Sequence, residues 1–171
     1  MAVSIDTQKQ GPLNADVTNK TIAASAAIGA KSVVIDAGGA IVADAYADGF
    51  LTINDATGEG ITYAVSGNTG VAGAGEVTVS LKEPLKVAVT VDVSEATLKA
   101  SPFSGLVISA TDQADLPVGV PNVTITAAYY GWVQTQGECA VLADEAVTKG
   151  LSLTTGTGVA GAVEAYDGVG E

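Results

Sequence analysis

The run Glu76-Val77-Thr78-Val79-Ser80-Leu81 decides the fold class. Val77, Val79 and Leu81 fall on one side of an extended chain, and Glu76, Thr78 and Ser80 fall on the other. Such alternation belongs to a half-buried β-strand, because successive strand side chains point to opposite faces. Gly70, Gly73 and Gly75 punctuate the chain before this run, and Pro84 interrupts it afterwards. Upstream, Ser32-Val33-Val34-Ile35-Asp36 is a β-rich run stopped by Gly38-Gly39, and Ile41 to Tyr46 reads equally as strand or one helical turn. Asp48-Gly49 marks a turn into Phe50-Leu51-Thr52-Ile53-Asn54, in which Leu51 and Ile53 share one face. The loop Asp55 to Gly60 then leads to the alternating Ile61 to Ser66, and two alternating runs around a short Gly-rich connection predict a hairpin.

Downstream, Lys86 to Val93 places valine at 87, 89, 91 and 93, which predicts a strand whose other side, Lys86, Thr90 and Asp92, is wet. Glu95 to Lys99 reads as a helical turn, and Pro117 and Pro121 bracket a loop. Further short β-rich runs are Gly105 to Ser109, Asn122 to Thr126, Tyr129 to Gln136, Ala140 to Ala143, Leu151 to Thr154 and Ala162 to Tyr166. Short strands repeating at roughly 8–12 residues, with no long amphipathic helix, predict an all-β antiparallel barrel or sandwich. Residues 1–20 lack either periodicity and carry Gly11-Pro12, so they read as an extended N-terminal arm. Residues 21–171 then form the β-rich domain, with room for two lobes divided near residue 100.

Composition narrows the chemistry. The 171 residues carry seven basic side chains, all lysine, against nineteen acidic ones, a formal charge of −12, and there is no histidine. Without histidine or arginine, one copy cannot build a Ser-His-Asp or Cys-His site, a histidine-ligated zinc or an arginine clamp on phosphate. Nucleic acid is disfavoured as a partner, since binding its backbone needs cations. Residues 1–20 hold Lys9, Gln10 and Asp16 where a secretory signal needs an apolar core, and no apolar run is long enough to span a bilayer. The expectation is a chain that is soluble and not exported, made in the cytoplasm, with no membrane partner. The single cysteine, Cys139, excludes an internal disulfide and reads as a small buried hydrophobe. Charged residues make up only 15%, against about a quarter in typical domains, as suits a sheet protein largely covered by neighbours.

Motifs with chemical potential mostly fail on context. Gly156-Thr157-Gly158-Val159-Ala160-Gly161 has the spacing of a dinucleotide-binding loop, but β-like sequence follows it and no βαβ unit fits, so it reads as a glycine turn. Acids pair as Asp44 with Asp48, Asp55 with Glu59, Asp112 with Asp115, and Asp144 with Glu145, without the spacing of a calcium loop. They read as turn and cap residues. No catalytic residues, metal site or cofactor are expected, and the chain does not read as an enzyme.

The distinctive segment is Tyr129-Tyr130-Gly131-Trp132-Val133-Gln134-Thr135-Gln136-Gly137, with three of the eight aromatic residues and the only tryptophan. If extended, it points Tyr130, Trp132, Gln134 and Gln136 one way and Tyr129, Val133 and Thr135 the other. One side is then core and the other a candidate interface. An aromatic-and-amide row suits either a protein interface or stacking on sugars. The competing reading is that Trp132 plugs the core.

Gly131 to Leu142 resembles the capsid decoration, or cement, proteins of tailed bacteriophages. The likeness extends to Asp48-Gly49-Phe50-Leu51-Thr52-Ile53 leading through Thr57-Gly58-Glu59-Gly60 into Ile61-Thr62-Tyr63, and to Leu81-Lys82-Glu83-Pro84-Leu85. The ordered set covers about residues 45 to 145; Glu138 and Cys139 stand where similar sequences are more apolar or carry proline. The resemblance implies a non-catalytic virion protein on the outer face of an icosahedral capsid. Its partners would be the major capsid protein and other copies of itself, as trimers or dimers. The alternative is a carbohydrate-binding or adhesive β domain on a virion or cell surface.

Overall fold

The computed structural model describes residues 8–10, 17–111, 117–126 and 129–166. In chain order the strands are β1 (Gln8–Gln10), β2 (Val17–Ala24), β3 (Ser32–Asp36), β4 (Phe50–Ile53), β5 (Thr62–Asn68) and β6 (Glu76–Leu81). They continue as β7 (Glu95–Lys99), β8 (Leu106–Ile108), β9 (Pro117–Pro121), β10 (Val133–Gln134), β11 (Leu153–Thr155) and β12 (Val163–Ala165). Every strand pairing is antiparallel, so the chain is all-β. No helix long and apolar enough to cross a membrane occurs among the described residues. The chain divides into two compact units, Pro12–Pro102 and Met1–Gly11 with Phe103–Glu171.

The first unit is a closed barrel in the order β2-β3-β6-β5-β4-β7. Closure follows from alternation: Val33 and Ile35, Leu51 and Ile53, Tyr63 and Val65, Val77 and Val79, and Ala96 and Leu98 all point inward and are buried. The register sets apolar residues opposite one another, with Val33 facing Val79, Leu51 facing Tyr63 and Leu98, and Ile53 facing Ala96. Cross-strand apolar pairs are what stabilise a ladder, and a closed barrel leaves no edge strand for another chain to join.

Several sequence expectations are corrected here. Glu95–Lys99 is strand β7, not a helical turn, and it closes the barrel by pairing with both β2 and β4. The valine run does not form a strand: Val89 makes one bridge to Ala26 and is buried, while Val91 and Val93 are exposed. Local turn chemistry overrides its β-propensity. Asp92 adopts a positive φ of 58°, Ser94 Oγ accepts from the Thr90 amide at 3.1 Å, and Ser25 Oγ accepts from the Val91 amide at 2.9 Å. Ile41 to Tyr46 resolves into a bridge at Ile41 followed by turns that carry Tyr46 into the core.

Part of the stretch read as an N-terminal arm, residues 1–20, is strand. Val17 to Lys20 begin β2 inside the barrel, and Gln8–Gln10 form β1, paired with β8 and β9; residues 1–7 and 11–16 lie outside the described residues. The second unit contains a four-stranded sheet in the order β10-β9-β1-β8 and a two-stranded ladder of β11 and β12. The segment bracketed by Pro117 and Pro121 is strand β9 rather than a loop, with the prolines as its end residues, where a missing amide is tolerated. Asn122 to Thr126 and Ala140 to Ala143 form no strand of their own; only Ala143 makes a bridge, to Val163.

Candidate functional site

Strands β9 and β10 pair as Val133 with Pro121 and Gln134 with Val120, and the chain between them carries the aromatic segment outward. Before the projection the Tyr129 amide donates to Thr126 O at 3.0 Å. Gly131 lies where a Cβ would collide with the Ile125 side chain, so glycine lets Ile125 pack against the backbone there. The result is exposure: Tyr129 is 75% exposed, Tyr130 106% and Trp132 92%. Trp132 therefore does not plug a core. The two-sided reading of this segment is corrected as well, because Tyr129 and Thr135 are exposed and Val133 only half-buried. Strand β10 is two residues long at the end of its sheet, too short to set one face against a core.

The four candidate residues separate into two roles. Tyr130, Trp132 and Gln136 are exposed, and Gln134 is half-buried. The Gln134 amide donates to Gln136 O at 3.0 Å and to Glu138 O at 2.9 Å, closing a turn in which Gly137 adopts a φ of 92°. Its Oε1 accepts from Asn122 Nδ2 at 3.4 Å. Gln134 thus braces the base from which the aromatic residues project. A shallow depression of about 230 Å³ lies beside it, lined by Gly119, Val120, Gln134, Gln136 and Cys139 among others. Cys139 is exposed, against its expected burial, because no strand forms at 140–143 to cover it.

The glycine motif has a use that the sequence did not disclose. Asp144 Oδ2 accepts from the Gly158 amide at 2.6 Å and the Val159 amide at 3.2 Å, and Glu164 Oε2 accepts from the Thr157 amide and hydroxyl, both at 3.0 Å. Backbone amides that would suit a phosphate are taken by two of the chain's own carboxylates. Other acids act similarly: Asp36 accepts from the Gly38 amide, Asp55 from the Ala56 amide and Asp44 from the Asn68 amide. The Asp112 and Asp115 pair lies outside the described residues. Among the described residues no group of three His, Cys, Asp or Glu side chains is placed to hold a metal ion.

Replacing Asp144 by Ala is expected to release residues 157–159. Charge-assisted hydrogen bonds contribute about 2 kcal/mol, so amide exchange there should accelerate ~30-fold while barrel amides stay protected. Hydrogen exchange read by mass spectrometry checks this.

No family model matches the chain, and comparison with curated proteins and with solved structures returns no match.

Proposed function

We propose that this chain is a virion structural protein that decorates and stabilises the outer face of an icosahedral phage capsid by bridging neighbouring capsomers. The observation that carries this reading is the near-complete exposure of Tyr129, Tyr130 and Trp132 on a short, braced projection. Exposed aromatic side chains cost solvation unless a partner covers them, and Tyr and Trp dominate the energetics of protein interfaces. The charge of −12 fits an exterior position, since packaged nucleic acid would repel it. In this mechanism the protein adds buried area across seams between capsomers. Many weak copies then stabilise the shell by mass action on the bound state, with the major capsid protein as partner. The ordered likeness to cement proteins over residues 45 to 145 supports the same reading.

Co-sedimentation with genome-free expanded shells tests it. The chain should bind at fixed stoichiometry, and Trp132→Ala should weaken binding about 30-fold, the loss of a hot-spot side chain worth about 2 kcal/mol. The fold should be unaffected, because the indole is exposed in the free chain. Equal binding by the variant would remove the assigned anchor. Glycan-array binding by an isolated chain that fails to bind shells would favour the carbohydrate-binding reading instead.

A further inference from the structure

Strand β5 of the barrel carries an extra residue. Val65 pairs with Leu81 and Gly67 with Ser80, so Ser66 is a bulge, a feature that re-aims neighbouring side chains. Beside it lies a recess of about 350 Å³ lined by Asp44, Ser66, Gly67, Asn68, Thr69 and Ser80. Asp44 is fixed there from several sides. Its amide donates to Asn68 O at 2.9 Å, and its Oδ1 accepts from the Asn68 amide at 3.2 Å. The buried Asn68 side chain ties Val42 and Tyr46, on either side of Asp44, to the same strand. A Cβ on Gly67 would stand 2.5 Å from Asp44 Oδ1, so glycine is what admits the carboxylate. Among the described residues Asp44 Oδ2 has neither a hydrogen-bond nor an ion-pair partner, and the exposed Ser66 and Ser80 hydroxyls have none either.

A fixed, uncompensated carboxylate among hydroxyl acceptors selects a cation. One carboxylate is too few for a divalent metal, and no group of three ligating side chains occurs among the described residues. The recess has no aromatic wall on which a sugar ring could stack. Of the organic cations, an ammonium is a compact, strongly hydrated charge with three donors. A guanidinium is planar, more weakly hydrated and carries five donors, enough to engage Asp44 Oδ2 and both serine hydroxyls together. The chain contains no arginine, so such a group comes from a different protein rather than from a second copy. The charge of −12 favours a basic partner in the same way.

We propose that this recess receives an arginine side chain of the protein on which the chain docks. That the docking protein is the capsid protein rests on the shell-binding reading; the recess itself belongs to the barrel unit and includes no residue of the aromatic projection. Nα-acetyl-arginine amide, titrated into the isolated full chain, should shift the NMR amide signals of Asp44, Gly67 and Asn68 saturably. Nα-acetyl-lysine amide at the same ionic strength should bind at least ~3-fold more weakly. Added salt should weaken both, because screening acts on an exposed pair.

Asp44→Asn should weaken binding of the arginine amide at least ~10-fold, since it turns a charge-assisted pair into a neutral one. The fold should hold, because asparagine keeps an acceptor for the Asn68 amide and tolerates the φ of 58° at this position. Glu59→Gln, the same charge change at an exposed position in another loop, should bind like the parent chain. In co-sedimentation with expanded shells, Asp44→Asn should again bind ~10-fold more weakly and Glu59→Gln should not. Equal binding of the two amides overturns the proposal, as does arginine-amide or shell binding indifferent to Asp44→Asn. If the parent chain ignores shells, the capsid reading falls and the amide titration alone decides the recess. Should Asp44→Asn fail to fold, the comparison of arginine with lysine amide on the parent chain decides.

Discussion

Replacing Asn68 by Ala is expected to destabilise the barrel by about 4 kcal/mol and lower its melting temperature by about 20 °C. Asn68 is buried, 6% exposed, and all three of its amide hydrogen bonds go to backbone. Its Oδ1 accepts from the Tyr46 amide at 2.9 Å, and its Nδ2 donates to Val42 O at 3.0 Å and Thr69 O at 2.9 Å. The alanine variant strands the buried Tyr46 amide, at about 1–3 kcal/mol, and removes part-buried bonds to the Val42 and Thr69 carbonyls, at about 1 kcal/mol each. A loss of that size is a large part of a domain's usual stability of about 5–15 kcal/mol. The same bonds hold the turns that bring Tyr46 into the core, so the damage extends to packing. Asn68→Asp is no rescue: it keeps an acceptor for the Tyr46 amide but sets a carboxylate oxygen against two carbonyl oxygens. Urea denaturation followed by circular dichroism measures both variants, and a loss under 1 kcal/mol for Asn68→Ala would refute the assignment.

Gly49→Ala is expected to cost about 3 kcal/mol despite adding one methyl group. A Cβ there would collide with the backbone carbonyl oxygen of Lys99 and stand 2.9 Å from Tyr46 O. Neither atom is the end of a flexible side chain. The Gly49 amide donates to Tyr46 O at 3.0 Å and the Gly49 carbonyl accepts from the Val65 amide at 2.9 Å, so the residue is tied on both sides. Phe50, the next residue, pairs with Lys99, so the methyl group must separate β4 from β7 where the barrel closes. Thermal denaturation should show the barrel's transition about 15 °C lower than in the parent chain. Gly39→Ala, where an added Cβ meets nothing within 4 Å, is the control and should leave it unchanged.

These two positions mark where local sequence was informative and where it was not. Asp48-Gly49 is visible as a turn from its residue types, but the need for glycine comes from Lys99, fifty residues away. Asn68 reads as a strand-end residue, and nothing local reveals that its amide braces residues 42 and 46. The aromatic segment stood out in composition alone, since it gathers three of eight aromatic side chains. Which of its residues face outward was not legible. Gln134 alternates with Trp132 in sequence, yet its amide is bound to Gln136 and Glu138 carbonyls at the base of the projection.

By itself the sequence determined the all-β class and the extended runs at 32–36, 50–54, 61–66 and 76–81, each of which contains a strand, because alternation of apolar and polar side chains is a property of neighbouring residues. It also determined the acidic character and the absence of histidine and arginine chemistry. Only the tertiary structure decided that Glu95–Lys99 closes the barrel while the more apolar valine run before it does not, and that Trp132 lies in solvent. The physical reason is that a strand is completed by hydrogen-bonding partners distant in the chain. Ala96 and Leu98 find them in β2 and β4, whereas the turn bonds at Thr90 to Ser94 take the valine run out of the ladder.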